Sequence, residues 1–221
     1  MKGAPHSDQF DDVYFSKKDG LAETRHVFLD ANNLPQAWDE KESFSIFETG
    51  FGTGLNFFAV WDLFEKTAHK NQTLDFVSVE KYPLTTQQIL EALKPWSDEL
   101  QDKIDTLCNL YPIRVRGTHR IKISPQITLT LIFDDLNEVL PTLSGCFDCW
   151  FLDGFTPAKN PEMWSHVLFD NMARLSKSKA TFATFTAAGG VKKGLMKSGF
   201  NVQKKKGFDY KPDMIAGYYE E

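Results

Sequence analysis

The chain has 221 residues, of which 42% are hydrophobic, and a formal net charge of −5 at pH 7. This length supports one domain with a sizeable core, and the negative charge does not by itself indicate nucleic-acid binding. No apolar run reaches the roughly 18 residues of a membrane span, the first residues lack the apolar centre of a signal peptide, and three cysteines argue against a disulfide framework. We therefore expect a cytoplasmic protein with no membrane partner.

Residues 1–43 precede the first core strand and are predicted to form an N-terminal extension or lid packed on the core. A short strand is predicted over residues 11–16, and a helix over residues 21–34 that Pro35 bounds. Periodicity does not decide between a lid over a ligand and a cover for the edge of a sheet.

A buried strand, a glycine-rich turn and an amphipathic helix follow one another from Phe44 to about Lys66. The strand ends in Glu48, and the helix begins at Leu55. The turn between them contains Gly50, Phe51, Gly52, Thr53 and Gly54. Glycines let the backbone approach a ligand closely, and the N–H groups of the first helical turn face it. The stretch therefore predicts a site for a nucleotide-like ligand.

The glycine spacing and a second acid indicate which ligand binds. A dinucleotide fingerprint, G-x-G-x-x-G, would place its third glycine at Leu55, whereas this turn reads G-x-G-x-G. Glu80 ends the next apolar strand, 26 residues after Gly54, where a carboxylate can bind both hydroxyls of a ribose. This combination resembles the S-adenosylmethionine site of class I methyltransferases. The alternative is a glycine turn with another adenosine ligand or none.

Two helices and a β-hairpin are predicted next, with the helices over residues 85–93 and 97–107 and the strands over residues 121–124 and 127–133. The second strand ends in Asp134 and Asp135, at the carboxyl edge of the sheet, where ligands bind in open α/β folds. One acid can accept a hydrogen bond from an adenine amino group, and one can cap the following helix. The sequence leaves the assignment open.

The rest of the chain continues the alternation of strands and helices. Strands are predicted over residues 147–152, 181–186, 200–205 and 214–219, and helices over residues 162–175 and 187–198. Residues 44–221 are thus predicted to form one α/β domain with a doubly wound, mostly parallel seven-stranded sheet and an antiparallel C-terminal hairpin. This is the Rossmann-like architecture of class I methyltransferases.

Asp153 ends the strand predicted beside the glycine strand, which places it near the reactive end of the ligand. An amine acceptor arrives protonated, and a carboxylate can hold it and take or relay its proton. The carboxylate also stabilises the positive charge on nitrogen after methyl transfer. The alternative is that Asp153 only orders its own loop. The five histidines lack metal-ligand spacing, so no metal is predicted.

The C-terminal part is basic although the chain is acidic. Residues 189–211 carry seven lysines against one acid, Asp209. A lysine run is commonly a solvated face. A basic end on an acidic body also suits a selective contact with a phosphate backbone.

Five stretches carry a close resemblance to a known family, and the most specific is WFLDGFTPAKNPEMW at residues 150–164. The others lie at residues 9–16, 20–29, 48–57 and 182–195. From about Phe10 onward the chain resembles the methyltransferase domain of the MnmC family, which completes the tRNA wobble nucleoside 5-methylaminomethyl-(2-thio)uridine. The resemblance implies methyl transfer from S-adenosylmethionine to the amine of 5-aminomethyl-(2-thio)uridine at position 34.

The resemblance also implies roles for individual residues. Gly50, Gly52 and Gly54 would hold the methionine part of the cofactor, Glu80 the ribose, and Asp134 or Asp135 the adenine. Glu48, Phe51 and Thr53 would also belong to the cofactor site. Asp153 and its loop would face the target amine. Lys159 and Asn160 would face that amine together with the loop. Candidates to stack on the base are Phe155, Tyr14 and Phe15, and core packing is the alternative for each of them. Lysines that would meet anticodon-stem phosphates are Lys192, Lys193, Lys204, Lys205 and Lys206. The expected partner is the tRNA anticodon loop.

In that family an FAD-dependent oxidase domain acts first. This chain has one glycine fingerprint, already assigned, so no oxidase domain is expected in it, and FAD would belong only to a second domain, fused or separate. The chain would then be a stand-alone or an excised methyltransferase. Two other functions stay open, namely an S-adenosylmethionine-dependent N-methyltransferase of a small-molecule amine, and a cofactor-free adaptor with the same fold.

Overall fold

The computed structural model describes residues 6–7, 12–13 and 19–220. The strands are β1 (His6–Ser7), β2 (Asp12–Val13), β3 (Ser43–Glu48), β4 (Thr73–Val79), β5 (Gly117–Lys122), β6 (Ile127–Phe133), β7 (Phe147–Phe151), β8 (Ser176–Thr184), β9 (Phe200–Lys205) and β10 (Met214–Tyr219). The helices are α1 (Gly20–Thr24), α2 (Leu55–Thr67), α3 (Thr86–Leu93), α4 (Ser97–Leu110), α5 (Leu136–Val139), α6 (His166–Arg174) and α7 (Gly189–Lys197). A π-helical turn spans Arg25–Leu29, and short 3-10 turns span Asp30–Asn32, Gln36–Trp38, Lys94–Trp96 and Leu140–Thr142.

Within the described residues, eight strands form the main sheet in the order β5-β6-β4-β3-β7-β8-β10-β9. Neighbours from β6 to β8 are parallel, whereas β10 runs antiparallel to both β8 and β9. This confirms the predicted α/β class and the C-terminal hairpin. The strand count differs by one because β5 pairs antiparallel with β6 and extends the sheet beyond seven strands. The predicted hairpin over residues 121–133 is this pair.

Both faces of the sheet are covered, as the near-continuous apolar strands require. In β3, Phe44 and Ile46 belong to one core cluster and Phe47 to the other, because successive side chains point to opposite faces. On the first face α2 packs Phe57 against Phe76, with ring centroids 5.2 Å apart. Because β6, β4, β3, β7 and β8 are parallel, their carboxyl ends meet at one edge of the sheet.

The helix predicted over residues 21–34 is divided into α1, the π-helical turn and a 3-10 turn. Asn33 ends the segment in the left-handed conformation, with φ of 56°, which asparagine tolerates. Phe28 stacks on Phe151 at 5.1 Å, so the segment packs on the main sheet. Of the short strand predicted over residues 11–16, residues 12–13 pair with residues 6–7, and residues 11 and 14–16 lie outside the described part.

The helix predicted from residue 162 begins later, at His166. Ser165 is its N-cap and accepts a hydrogen bond from the Leu168 N–H at 3.3 Å. The indole of Trp164 instead donates to the Phe155 carbonyl at 3.1 Å. Residues 152–165 therefore form a longer loop than predicted, directly after β7, and Asp153 lies near its start.

Candidate functional site

A cavity of about 500 Å³ opens at the carboxyl edge of the sheet, within the size range of small-molecule sites. The predicted site residues that line it are Gly50, Phe51, Gly52, Thr53, Glu80, Asp134, Asp135, Asp153, Phe155, Lys159 and Asn160. The structure thus brings together the glycine turn, the acids that follow three strands, and the loop after β7.

Strand order sets the sequence of groups along this edge. Asp134 follows β6, Glu80 follows β4, the glycine turn follows β3 and Asp153 follows β7, and these strands are consecutive neighbours. Neighbouring strands lie about 4.8 Å apart. The groups therefore form a row, in which Asp134 and Asp153 mark the two ends.

The glycine turn brings bare backbone to the cavity. Gly52 and Gly54 have φ of 52° and 80°, a conformation that other residues rarely adopt. A Cβ on Gly54 would lie 2.8 Å from the Cζ of Phe51, and one on Gly50 would lie 3.1 Å from the carbonyl oxygen of Asp153. Side chains are therefore excluded here by both conformation and space.

Glu80 is oriented by two backbone groups. Its Oε2 accepts a hydrogen bond from the Gly52 N–H and its Oε1 accepts one from the Tyr82 N–H, both at 2.8 Å. Burial raises the pKa of Glu80, although these N–H groups oppose the shift. The carboxylate is thus fixed against the glycine turn, and each oxygen retains a lone pair for a ligand hydroxyl.

The structure assigns one of the two jobs that the sequence left open, the capping of a helix, to Asp135. Asp135 caps α5, since its side chain accepts from the Asn137 N–H at 2.9 Å, and it also pairs with Lys81 at 2.7 Å. Burial of Asp135 would raise its pKa, but these partners outweigh it and lower the value. Asp134 pairs with Arg116 at 2.7 Å, which lowers its pKa. Both acids line the cavity, and an adenine contact from Asp134 stays a prediction.

Asp153 is held at the cavity wall by three bonds. Its Oδ2 accepts from the Asn56 amide at 2.6 Å, its Oδ1 accepts from the Gly154 N–H at 2.8 Å, and its backbone oxygen accepts from the Thr49 hydroxyl at 2.6 Å. Burial raises the pKa of this carboxyl to about 6, although its hydrogen bonds to Asn56 and Gly154 oppose the rise. The group therefore stays ionised at neutral pH but is more basic than an ordinary aspartate.

Glu48 does not line the cavity. It is fully buried behind the wall, where its oxygens accept from Asn56 at 2.8 Å and from the Ser78 hydroxyl at 2.7 Å. Burial, followed by the nearby Asp153, raises the pKa of Glu48 well above its usual range. From this position Glu48 supports Asn56. Direct binding of the cofactor by Glu48 stays a prediction, and its side chain has no surface exposed to the cavity.

The five lysines predicted to meet phosphates lie outside the cavity. Lys192 and Lys193 are exposed in the first half of α7. Lys204 forms an ion pair with Asp213, and Lys205 donates to the Ala31 carbonyl at 3.4 Å. Because β9 runs parallel to β8, Lys205 and Lys206 end at the same edge of the sheet as the cavity. They flank the site and do not form it.

Polar residues at the site that the sequence did not predict include Glu23, Thr24, Asn56 and Lys211. Asn56 had a signal, since it is a polar residue in the apolar helix that follows the glycine turn, and it is buried. Glu23 and Lys211 had no local sequence signal, because their role depends on an ion pair between residues that are 188 positions apart in the sequence. Thr24 donates to the Asn56 side-chain oxygen at 2.8 Å.

Among the described residues, no helix combines the length and the apolar character needed to cross a bilayer.

Comparison with known proteins places this site in context. The model of a family described as S-adenosyl-L-methionine-dependent methyltransferase matches residues 98–220. The chain is 50% identical over 218 residues to the tRNA 5-methylaminomethyl-2-thiouridine biosynthesis bifunctional protein MnmC of Marinomonas sp., covering 97% of this chain and 32% of that protein. It is 48% identical over 231 residues to the protein of the same name in Aliivibrio fischeri, covering 99% and 34%.

Among solved structures, the chain is similar to MNMC2 from Aquifex aeolicus, with a TM-score of 0.71 and 20% identity over 94% of this chain and 64% of that one. At this identity the likeness supports the fold alone. The chain spans about a third of the length of the curated MnmC relatives that it matches.

Proposed function

Because this chain belongs to the S-adenosyl-L-methionine-dependent methyltransferases, we propose that it methylates the amine of 5-aminomethyl-(2-thio)uridine at the tRNA wobble position, giving 5-methylaminomethyl-(2-thio)uridine. Relatives that are about half identical over nearly the whole chain carry this nucleoside in their names. Since the chain spans only a third of their length, their names support the choice of acceptor without deciding it. The observation that carries the proposal is the oriented Asp153 carboxylate at the end of the row of site groups.

The residues of the cavity fit S-adenosylmethionine. The bare backbone around Gly52 suits close approach of the amino-acid part, and the fixed carboxylate of Glu80 suits a ribose diol. Acids at both ends of the row suit a ligand with a cationic centre and an adenine amino group. When bound, the cofactor would supply a methyl group on positively charged sulfur, so that a nitrogen lone pair could bond to the methyl carbon while the neutral thioether leaves.

Asp153 prepares the acceptor amine. A primary alkylammonium has no lone pair to react with, so it must first lose a proton. The Asp153 carboxylate, ionised at neutral pH, holds the ammonium by a charge-assisted hydrogen bond. With a pKa of about 6 it takes or relays the proton more readily than an ordinary aspartate would. It then faces the methylated ammonium product and stabilises its charge.

The surroundings of the cavity suit a base presented by RNA. A wobble base lies in a single-stranded loop, so it can be turned out and stacked on an aromatic ring. We assign that ring to Phe155, in the loop after β7, with Lys159 and Asn160 beside it on the cavity wall. The lysines of α7 and of the end of β9 lie at the same edge and would meet backbone phosphates.

The part of the MnmC relatives that this chain does not match indicates which enzyme would act together with it. Their shared name describes a bifunctional protein, and this chain matches a third of it. We assign the methylation step to this chain and the preceding step to an FAD-dependent oxidase, fused or separate. Methylation requires a free aminomethyl group, so an enzyme that exposes that group must act first. We assign both steps to the cytoplasm, where tRNA is modified.

The test is incubation with labelled S-adenosylmethionine and tRNA that carries 5-aminomethyluridine at the wobble position, beside unmodified tRNA. Label should enter only the aminomethyl tRNA. Asp153→Asn should reduce the rate by about 100-fold or more, because an amide cannot take the proton. Asp170→Asn makes the same change at an exposed acid of α6 and is the control.

Two outcomes would contradict the proposal. Label in free small amines without any in tRNA would identify a small-molecule N-methyltransferase. A chain whose melting temperature does not respond to S-adenosylmethionine would be a cofactor-free adaptor, since a ligand that binds the folded state must stabilise it.

A further inference from the structure

An ion pair between Glu23 and Lys211 forms part of the cavity wall. The Lys211 Nζ lies 2.5 Å from the Glu23 Oε1, which joins α1 to the loop between β9 and β10. The Glu23 side chain is 12% exposed and that of Lys211 is 49% exposed. Both residues line the cavity. The pair is therefore a polar feature of the wall and not an isolated surface contact.

Three observations indicate that this pair lies at the acceptor end. Thr24, the neighbour of Glu23, donates to Asn56, which in turn donates to Asp153. The charge of Glu23 raises the pKa of Asp153 and that of Lys211 lowers it, after the larger effects of burial and hydrogen bonding. The loop that carries Lys211 joins β9 to β10, on the side of β7 away from Glu80. The pair thus extends the row past Asp153.

A paired carboxylate and ammonium present an acceptor beside a donor. An ammonium has three N–H groups and a carboxylate has two oxygens, so each partner can bind a further group while the pair stays formed. The edge of a uracil offers the complementary pattern, with the O4 acceptor next to the N3–H donor. Cytosine offers the reverse, with a donor at N4 and an acceptor at N3. The pair therefore has the pattern to distinguish these two bases.

The position of the reacting group agrees with this pattern. In 5-aminomethyluridine the aminomethyl group is on C5, directly beside the C4 that carries O4. A base with its amine at Asp153 has its O4 and N3 within a few bonds of that amine. The groups that read the edge must then lie in the same part of the cavity as Asp153, and Glu23 and Lys211 line that cavity and act on the charge of Asp153.

We propose that the Glu23–Lys211 pair reads the base of the acceptor, with Lys211 donating to O4 and Glu23 accepting from N3–H. This inference rests on the proposed function and adds to it the group that selects a uracil. The base would be held at three points, by the pair at its edge, by Asp153 at its amine and by stacking on Phe155.

The test compares anticodon stem-loops that carry 5-aminomethyluridine or 5-aminomethylcytidine at the wobble position. Wild-type protein should prefer the uridine substrate. Glu23→Met and Lys211→Met should each lower kcat/KM on it by about 10- to 100-fold, as expected when a specific base contact is removed. Lys211→Arg keeps a donor and should retain more activity. Affinity for S-adenosylmethionine should stay at the wild-type value in all variants, which shows that they are folded.

The charge-swapped double variant, Glu23→Lys with Lys211→Glu, distinguishes recognition of the base from a purely structural role of the ion pair. It restores an ion pair but reverses donor and acceptor, so uridine activity should stay low and the preference for uridine over cytidine should fall. Recovery of wild-type uridine activity would show a structural brace and overturn the inference.

Glu99→Met, which breaks the Arg25–Glu99 pair outside the cavity, is the control. Single variants with wild-type activity would also overturn the inference. A wild-type protein that labels neither substrate would refute the proposed function itself.

Discussion

At the residue scale, Asn56 connects the parts of the site that the sequence keeps apart. Its amide nitrogen donates to both Glu48 and Asp153, and its oxygen accepts from Thr24. One side chain thus joins the end of β3, the end of β7 and α1. Because both amide hydrogens are used on acids, Asn56 stabilises their charged forms. We regard it as the residue that positions Asp153.

Replacing Asn56 should change the pH dependence of the reaction. In Asn56→Leu, Asp153 loses a hydrogen bond to its charged form, so its pKa should rise above about 6. Activity needs the ionised carboxylate, and the acid limb of the pH–rate profile should therefore move to higher pH. The maximal rate should also fall, by about 10- to 100-fold.

Thr24→Val is the matched control for that variant. It removes the hydroxyl that donates to the Asn56 oxygen and leaves the bond to Asp153 in place, so the acid limb should move less. An Asn56→Leu profile that superimposes on the wild-type profile after scaling would show that Asn56 only packs.

At the element scale, the two ends of β7 are associated with acids that have different roles. Asp153 follows its carboxyl end and faces the cavity. Asp148 lies near its amino end, with a side chain that is 1% exposed, and pairs with Lys41 and Lys177 at 2.7 and 2.6 Å. It also accepts from the Ser45 N–H at 2.9 Å. Burial would raise the pKa of Asp148, but these partners outweigh it and lower the value.

Asp148→Asn should destabilise the fold without changing the chemistry. Loss of hydrogen bonds to a buried charge costs about 1.5–3 kcal/mol, measured as the free energy of unfolding in urea at pH 7. The native pKa of Asp148 is depressed, so its contribution is present above the unfolded pKa near 3.8 and disappears as pH falls through the native value. The difference between variant and wild type should therefore shrink in acid.

Asp75→Asn is the comparison for that measurement. Asp75 pairs with Arg120 at 3.4 Å, and both side chains are well exposed, so its loss should change stability little. Equal effects of the two substitutions would mean that Asp148 behaves as a surface acid.

At the scale of the whole molecule, charge is distributed unevenly around the cavity. The chain carries a net charge of −5, but seven lysines lie within residues 189–211. The fold brings Lys205 and Lys206 to the cavity edge, because β9 ends on the same side of the sheet as β8. An acidic body with basic groups beside the site would orient a polyanion towards the cavity.

Lys206→Glu should weaken tRNA binding and reduce its dependence on salt. Removing one lysine–phosphate interaction lowers the slope of log K against log salt by about 0.7–0.9. Affinity for S-adenosylmethionine should not change, since Lys206 does not line the cavity. Combined reversal of Lys204, Lys205 and Lys206 should increase the effect.

Lys70→Glu provides the same change of charge at the opposite edge of the sheet, in the turn between α2 and β4. It should leave the salt slope unaltered. Identical tRNA affinity of the Lys206 and Lys70 variants across a salt series would make the basic end an ordinary solvated face.

The bounds of an element could be predicted well where they depend on sequence signals within the element itself. The strands predicted over residues 200–205 and 214–219 have those bounds in the structure, because alternation and turn residues are properties of short segments. Helix α6 begins four residues later than predicted, since the Trp164 bond to Phe155 holds the loop open and no local signal reports it. Residues 20–32 likewise divide into three helical types, and this segment contacts α2 and β8, which local periodicity does not report.

The sequence by itself determined the order of strands and helices, the glycine turn, and the acids that end β4, β6 and β7. These features follow from periodicity and from backbone conformations that glycine alone adopts readily, and both are encoded within a few residues. Only the tertiary structure decided that Glu48 lies behind the cavity wall, that Asn56 joins it to Asp153, and that Glu23 meets Lys211. Such contacts join residues distant in sequence, and they exist only once the strands have assembled at a common edge.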